Sequence, residues 1–419
     1  MKRVVFVISF LLICFCGWAQ PFQKKEIPSY GFINMEMNKI QFFGTDTMRK
    51  YCFYEKLDFL IKMKKGRVNI LHIGGSHVQA DIFSNQVRLN LDAVNGDLKP
   101  NRGYIFPYET AKTNNPSNYE VTHKGEWIPT RNVKKDRVAR LGLGGIAVST
   151  KDPNAEISVK LNVDSTKKRW RFSRLRLMGY CESSNVLPTL KLGNSFLVST
   201  YDSISSTYVF ELSAPADSFT VIFPQKDTLL HLFTVTGFIP ENDEYGIIYH
   251  SVGVNGASVP SYLSCPDFNR DMALIRPDLV IFGIGINDAV PANFSDSAFV
   301  AHYDSLIAGI ENVSPGCLYL FVTNNDSFKK KGKGRRAPSV VNENGLKAQR
   351  AFYTLAMKHD GAVWDLFALM GGLSSMQAWQ NAGLARKDKI HFTPKGYQLI
   401  GDMFYNALIE AYINETRRK

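Results

Sequence analysis

The sequence predicts an α/β fold: a three-layer α/β/α domain on a parallel sheet, interrupted by an antiparallel β-sandwich insertion. Two observations carry this. Short apolar runs such as "RVNILHI", "YGIIYHSVGV", "PDLVIFGIG", "CLYLFVTN" and "GAVWDL" alternate with helical patterns, which is how a parallel sheet covered on both faces is written. Between about Asp152 and Pro240 the pattern changes to alternating apolar and polar residues broken by Gly-Asn and Pro-Ala-Asp, as in a sandwich of antiparallel strands.

Taken in order, residues 1–19 read as a secretory signal. "MKRVVFVISFLLICFCGWAQ" has a basic start, an apolar stretch and small residues at Gly17 and Ala19, and its run from Val4 to Cys16 is short for a membrane span. Neither Cys14 nor Cys16 follows a small residue, which argues against a lipid-anchored cysteine. The expected location is therefore exported, periplasmic or extracellular, with no stable membrane span after cleavage. Residues 20–66 are expected to form an N-terminal segment packing on the α/β domain, with an amphipathic helix from Phe53 to Lys65. Residues 67–150 and 241–419 make up the α/β domain. There a helix is expected from about His77 to Leu91, a mostly helical stretch at "VPSYLSCPDFNRDMAL", and helices at "DSAFVAHYDSLIAGIENV", "ENGLKAQRAFYTLAMKHD" and "PKGYQLIGDMFYNALIEAY". Residues 151–240 are the inserted β-sandwich.

Composition is that of a globular protein, 45% hydrophobic and 12% aromatic, with a formal charge of +12 that falls to +10 once Lys2 and Arg3 are removed. A basic exported protein is drawn to polyanionic surfaces such as cell-wall polymers, although net charge alone is better explained by solubility. The densest basic run, Phe328 to Arg336, reads as a loop of mutually repelling charges interrupted by glycine. Export speaks against nucleic acid as a partner. After cleavage Cys52, Cys181, Cys265 and Cys317 remain, and the sequence does not choose among three disulfide pairings. They are far apart and the eight histidines do not cluster with them, so no metal and no cofactor is expected.

The chemistry gathers around "VNILHIGGSHVQADIF", residues 68–83, where an apolar strand ends in Gly74, Gly75 and Ser76. A serine on a strand-to-helix turn gains close backbone approach from the glycines and free N–H groups from the helix start. It also lies at the carboxyl edge of the sheet, where ligands bind in open α/β folds. A helix-capping serine explains the motif equally well. A nucleophile needs a base and the base an orienter, and "RKDKIHFTPKGYQLIGD" supplies Asp388 three residues before His391, ahead of a helix signalled by Thr393 and Pro394. Donors for an oxyanion are available at two other strand ends: Asn287 in "FGIGINDAV" and Gly256 in "SVGVNGAS". Each of these alone is better read as a turn or cap residue. Four such features in order at strand ends are harder to dismiss.

The segments "GGSH", "GVNGAS", "GIND" and "DKIH" resemble the four blocks of the SGNH (GDSL-like) hydrolase superfamily. The resemblance runs from about Val68 to the end, and it implies Ser76 as nucleophile, His391 as base and Asp388 as its orienter. It further implies an oxyanion hole made by the Ser76 N–H, the Gly256 N–H and the Asn287 side chain. A narrower similarity, at "GSHVQAD", "THKGEWIPTRN", "LGLGGIAVST" and "DLFALMGG", is to exported peptidoglycan O-acetylesterases and O-acetyltransferases, which carry a carbohydrate-binding-module-like sandwich in the same place. One departure stands out: Gly75 occupies the position before the serine where the family usually has aspartate.

The expected function is an exported carbohydrate O-acetylesterase acting on an acylated glycan such as peptidoglycan. Transfer to a sugar hydroxyl by the same triad is left open, because acceptor access and exclusion of water are not written in a linear sequence. The reading from another class is a catalytically silent glycan-binding paralogue, whose module would stack Trp170, Tyr201 or Tyr208 on sugars; such residues are more often core. A lipase ranks third, since no long apolar lid pattern adjoins the blocks.

Overall fold

A computed structural model describes residues 22–92, 101–163, 170–183, 185–226, 229–332 and 337–416. The segment expected as a secretory signal, residues 1–19, lies outside the described residues. The central sheet has six strands in the order Ile40–Phe42, Ala362–Trp364, Leu318–Val322, Leu279–Gly283, Arg67–Gly74, Gly246–Gly253. All pairings are parallel except that of the Ile40–Phe42 edge strand, which runs antiparallel to Ala362–Trp364.

Alternation along these buried strands separates two cores. Leu71, Ile73, Val252, Val280, Phe282, Phe321 and Val363 face one side, while Ile70, Tyr249, Ile281, Leu320 and Trp364 face the other. That period of two is what places a layer of helices on each face. Helices Met48–Met63, Phe83–Asp92 and Pro394–Thr416 fill the second core. Helices Phe268–Ile275, Asp296–Val313 and Asn344–Lys358 fill the first. The three-layer α/β/α architecture expected from the pattern is the observed one.

The insertion consists of a six-stranded and a five-stranded antiparallel sheet. Their strands reach back to Glu120–Lys124, Ile128–Arg131 and Ile146–Thr150, ahead of residue 151. Strands of four or five residues give too little alternation to be read by pattern. The sandwich core, including Phe172, Phe210, Phe219 and Phe238, is continuous with the first core of the α/β domain. Trp170 and Tyr208 belong to this interior and are unavailable for stacking on sugars, whereas Tyr201 is exposed.

Several elements depart from expectation. The N-terminal helix starts at Met48, five residues before Phe53. The helix expected from His77 to Leu91 is broken into Ser76–Gln79 and Phe83–Asp92, because Asp81 adopts φ 48°. Its carboxylate turns inward to Arg88 and Arg102, and this buried ion cluster outweighs helical continuity. The helical stretch after Val259 divides into Val259–Leu263 and Phe268–Ile275 around the Pro266 turn. The basic run expected as a loop begins as a strand, Phe328–Lys330, paired with Ser339–Val341 as a hairpin; residues 333–336 lie outside the described residues. The four cysteines are free thiols, Cys265 and Cys317 buried.

Candidate active site

The strand Arg67–Gly74 lies between the two strands that lead to Gly256 and Asn287, so three loops open at one sheet edge. Gly74 is in register with both Gly253 and Gly283. A side chain on Gly74 would begin 2.2 Å from the Val78 side chain, and one on Gly253 2.4 Å from the Gln79 backbone nitrogen. Lack of side chains here lets the Ser76–Gln79 turn of helix lie directly on the strand ends. Tyr262 donates its hydroxyl to the Gly74 carbonyl at 2.9 Å and Tyr108 its own to the Gly253 carbonyl at 2.9 Å, tying down those ends.

The chain's far end supplies the partners. Ser76 Oγ is 2.8 Å from His391 Nε2, and His391 Nδ1 is 2.9 Å from Asp388 Oδ2. The other carboxylate oxygen, Oδ1, accepts from the Ile390 and His391 backbone N–H groups, each at 2.9 Å, so the same residue shapes the turn and faces the ring. Burial works to raise the Asp388 pKa, but these hydrogen bonds from His391 and Ile390 outweigh it and hold the carboxyl below its ordinary value. An ionised Asp388 accepts from Nδ1–H and leaves Nε2 to accept the Ser76 proton. The helix start anticipated at Thr393 and Pro394 is observed: Pro394 is the first residue of the last helix, and Thr393 Oγ1 accepts from the Gly396 N–H at 3.2 Å.

Among the described residues, neither the Ser76 nor the Gly256 backbone N–H has an acceptor. Gly256 takes φ 83°, a conformation that glycine reaches without a Cβ penalty. Asn287 donates through Nδ2 to the Ala257 carbonyl at 2.9 Å, which holds its amide beside the Gly256 turn with one N–H remaining. At Gly75 a Cβ would meet the Asn287 amide nitrogen at 3.4 Å, ordinary contact, so space does not demand glycine there. All five residues singled out from the sequence, Ser76, Gly256, Asn287, Asp388 and His391, thus converge on one edge.

Two contributors escaped the sequence reading. His77 is half-buried against the His391 ring at 5.2 Å between centroids, with Nδ1 2.8 Å from the Tyr397 hydroxyl. Burial, reinforced by His391, pushes its pKa down to about 3, so this imidazole is neutral and cannot compete as a cation with His391. Asp288 accepts from the Val259 N–H at 3.1 Å, and burial pushes its carboxyl up to about 6. Adjacency to Ser76 and Asn287 was the only signal for either; their contacts lie across long sequence separations.

A serine, an imidazole and a carboxylate thus stand in hydrogen-bonded series, with N–H donors at the same strand ends of an α/β/α sheet. Residues 240–399 match the model of the GDSL-like Lipase/Acylhydrolase family, a stretch that contains Gly256, Asn287, Asp388 and His391. Ser76 lies outside that stretch and meets it in space through its contact with His391. A structure of a peptidoglycan O-acetylesterase superposes with a TM-score of 0.72 at 21% identity, covering 90% of this chain and 99% of that one. The shared architecture thus extends through the inserted sandwich. Partial overlaps include a lipase/acylhydrolase from Enterococcus faecalis (TM-score 0.29, 20% identity, 40% of this chain and 77% of that one). An acetylxylan esterase from Geobacillus stearothermophilus is similar over a comparable part (TM-score 0.28, 18% identity, 41% and 72%). No curated protein matches the sequence. Among the described residues no helix is long and apolar enough to cross a membrane.

Proposed function

We propose that the protein is an exported serine esterase that removes O-acetyl groups from a cell-wall or related glycan. The observation that carries this reading is the unbroken chain from Ser76 Oγ through His391 to Asp388, at 2.8 and 2.9 Å. Ser76 attacks the acetyl carbonyl while His391 Nε2 takes its proton. The oxyanion that forms is met by the Ser76 and Gly256 N–H groups and the free N–H of Asn287. Collapse of the intermediate expels the sugar hydroxyl, which receives the proton from His391 and leaves an acetyl-serine. Water, deprotonated by His391, then releases acetate. The triad is partly open, with the His391 and Asp388 side chains 32% and 44% exposed, as a polymer-bound ester requires. A glycan as substrate draws support from the shared fold with the peptidoglycan esterase, and export from the first 19 residues.

The test is acetate release from O-acetylated peptidoglycan by the mature protein and its Ser76→Ala variant. Release by the wild type that vanishes in the variant is expected. A wild type inactive on both this polymer and a small activated acetyl ester would overturn the hydrolase reading.

A further inference from the structure

The His391 turn and the Phe328–Val341 hairpin are one surface. The Phe328 N–H donates to the Lys389 carbonyl at 3.1 Å, and the Lys389 ammonium lies 4.4 Å from the centre of the Phe328 ring. Asn325, just ahead of the hairpin, donates to the carbonyl of Ile390, the neighbour of His391, at 3.0 Å. Residues 325–332, 337–343 and 386–395 carry Lys329, Lys330, Lys331, Arg386, Lys387, Lys389 and Lys395, against Asp388, Glu343 and the buried Asp326. Asp388 is already engaged by His391.

Among the described residues none of those seven cations forms a salt bridge. Lys330 reaches only the Ala337 carbonyl, at 3.1 Å. Some exposed lysines elsewhere are neutralised: Lys24 by Glu410, Lys56 by Asp278, Lys62 by Asp58 and Lys358 by Asp304. Unpaired like charges held together by a hairpin fastened to a catalytic turn repel one another, and folding gives them no counter-charge.

We infer that this cationic rim binds a carboxylate-bearing glycan strand and presents its acetyl esters to Ser76. The inference rests on the esterase reading for the last step and names the substrate class: an anionic, O-acetylated polysaccharide. A neutral glycan gains nothing from unpaired ammonium groups, whereas carboxylates spaced along a strand would pair with several at once. The field beside the nucleophile would also raise the encounter rate, in a salt-dependent way.

The experiment has a binding arm and a turnover arm. In the first, the full chain carrying Ser76→Ala is co-sedimented with polygalacturonate beads and with dextran beads, at low and high salt. Retention on polygalacturonate alone, abolished by salt and by Lys329→Glu/Lys331→Glu/Lys387→Glu, is expected. Equal retention on both polymers, or retention indifferent to salt or to the triple variant, overturns the proposal. This arm reads the surface whether or not the protein is an esterase. In the second, kcat/KM is compared on chemically acetylated polygalacturonate and acetylated dextran. The triple variant should lower the ratio between the two by about tenfold, while Lys→Arg at the same positions should restore it. An unchanged ratio overturns the proposal.

Discussion

The substitution Asp388→Asn separates the orienting role of the carboxylate from its structural one. The amide side chain would keep Oδ1, and with it the acceptor for the Ile390 and His391 N–H groups at 2.9 Å, so the turn should survive and Tm should move by no more than about 2 °C. What changes is the group 2.9 Å from His391 Nδ1, which becomes an amide donor in place of an acceptor. The imidazole then places its proton on Nε2, facing Ser76 Oγ, and the hydroxyl loses its acceptor. Loss of this interaction at a buried triad costs about 10⁴ in kcat. Here the Asp388 side chain is 44% exposed, so water can take over part of its role. We therefore expect a loss of about 10³, or about 4 kcal/mol of barrier. The assay is kcat on a small activated acetyl ester, with Tm measured on the same preparation. A variant of unchanged Tm that keeps more than a tenth of wild-type kcat would refute the assignment of Asp388 as orienter.

Two further predictions concern buried carboxylates. Asp81 is 4% exposed and holds Arg88 and Arg102, 1% and 2% exposed, together with Ser84, Ser251 and Asn118. Burial works to raise its pKa, but the two guanidinium groups win and hold it well below the ordinary carboxylate range. Asp81→Asn leaves two buried cations without their counter-ion and should cost about 3–5 kcal/mol, read as a fall in the urea midpoint at pH 7. Because the folded pKa is depressed, the carboxylate's contribution is present above the unfolded value near 4 and is lost as pH falls below it, so the wild type should weaken there and the variant much less. Asp288 has the opposite sign. Burial lifts its folded pKa to about 6, so folding favours the protonated form and stability declines as pH rises from about 4 to 6. Asp288→Asn preserves an acceptor for the Val259 N–H and should stabilise the protein at pH 7.5 by about 1–3 kcal/mol, with little effect at pH 4. Equal effects at both pH values would show that Asp288 is not held protonated.

What the sequence alone determined are features written over short distances. The apolar strand runs, the 3.6-residue pattern of Asp296–Val313 and the turn residues around Ser76, Gly256, Asn287 and His391 each depend on near neighbours, and Pro394 marks the start of the last helix. The elements read poorly are those in which a distant contact outweighs local preference. Asp81 breaks a continuous helical pattern because two arginines draw its carboxylate inward. The strands from Glu120 to Thr150 are too short to announce themselves and form through pairing within the two sheets. Trp170 and Tyr208, which the sequence favoured as core over sugar platforms, do fill the sandwich core. Tertiary structure alone decided that residues 76 and 391, 315 positions apart, stand 2.8 Å from each other. It also decided that His77 backs the His391 ring, and that a basic run and the His391 turn share one rim. Such pairings follow from strand order and register, which arise from burial summed over the whole sheet and leave no trace in any single window of sequence.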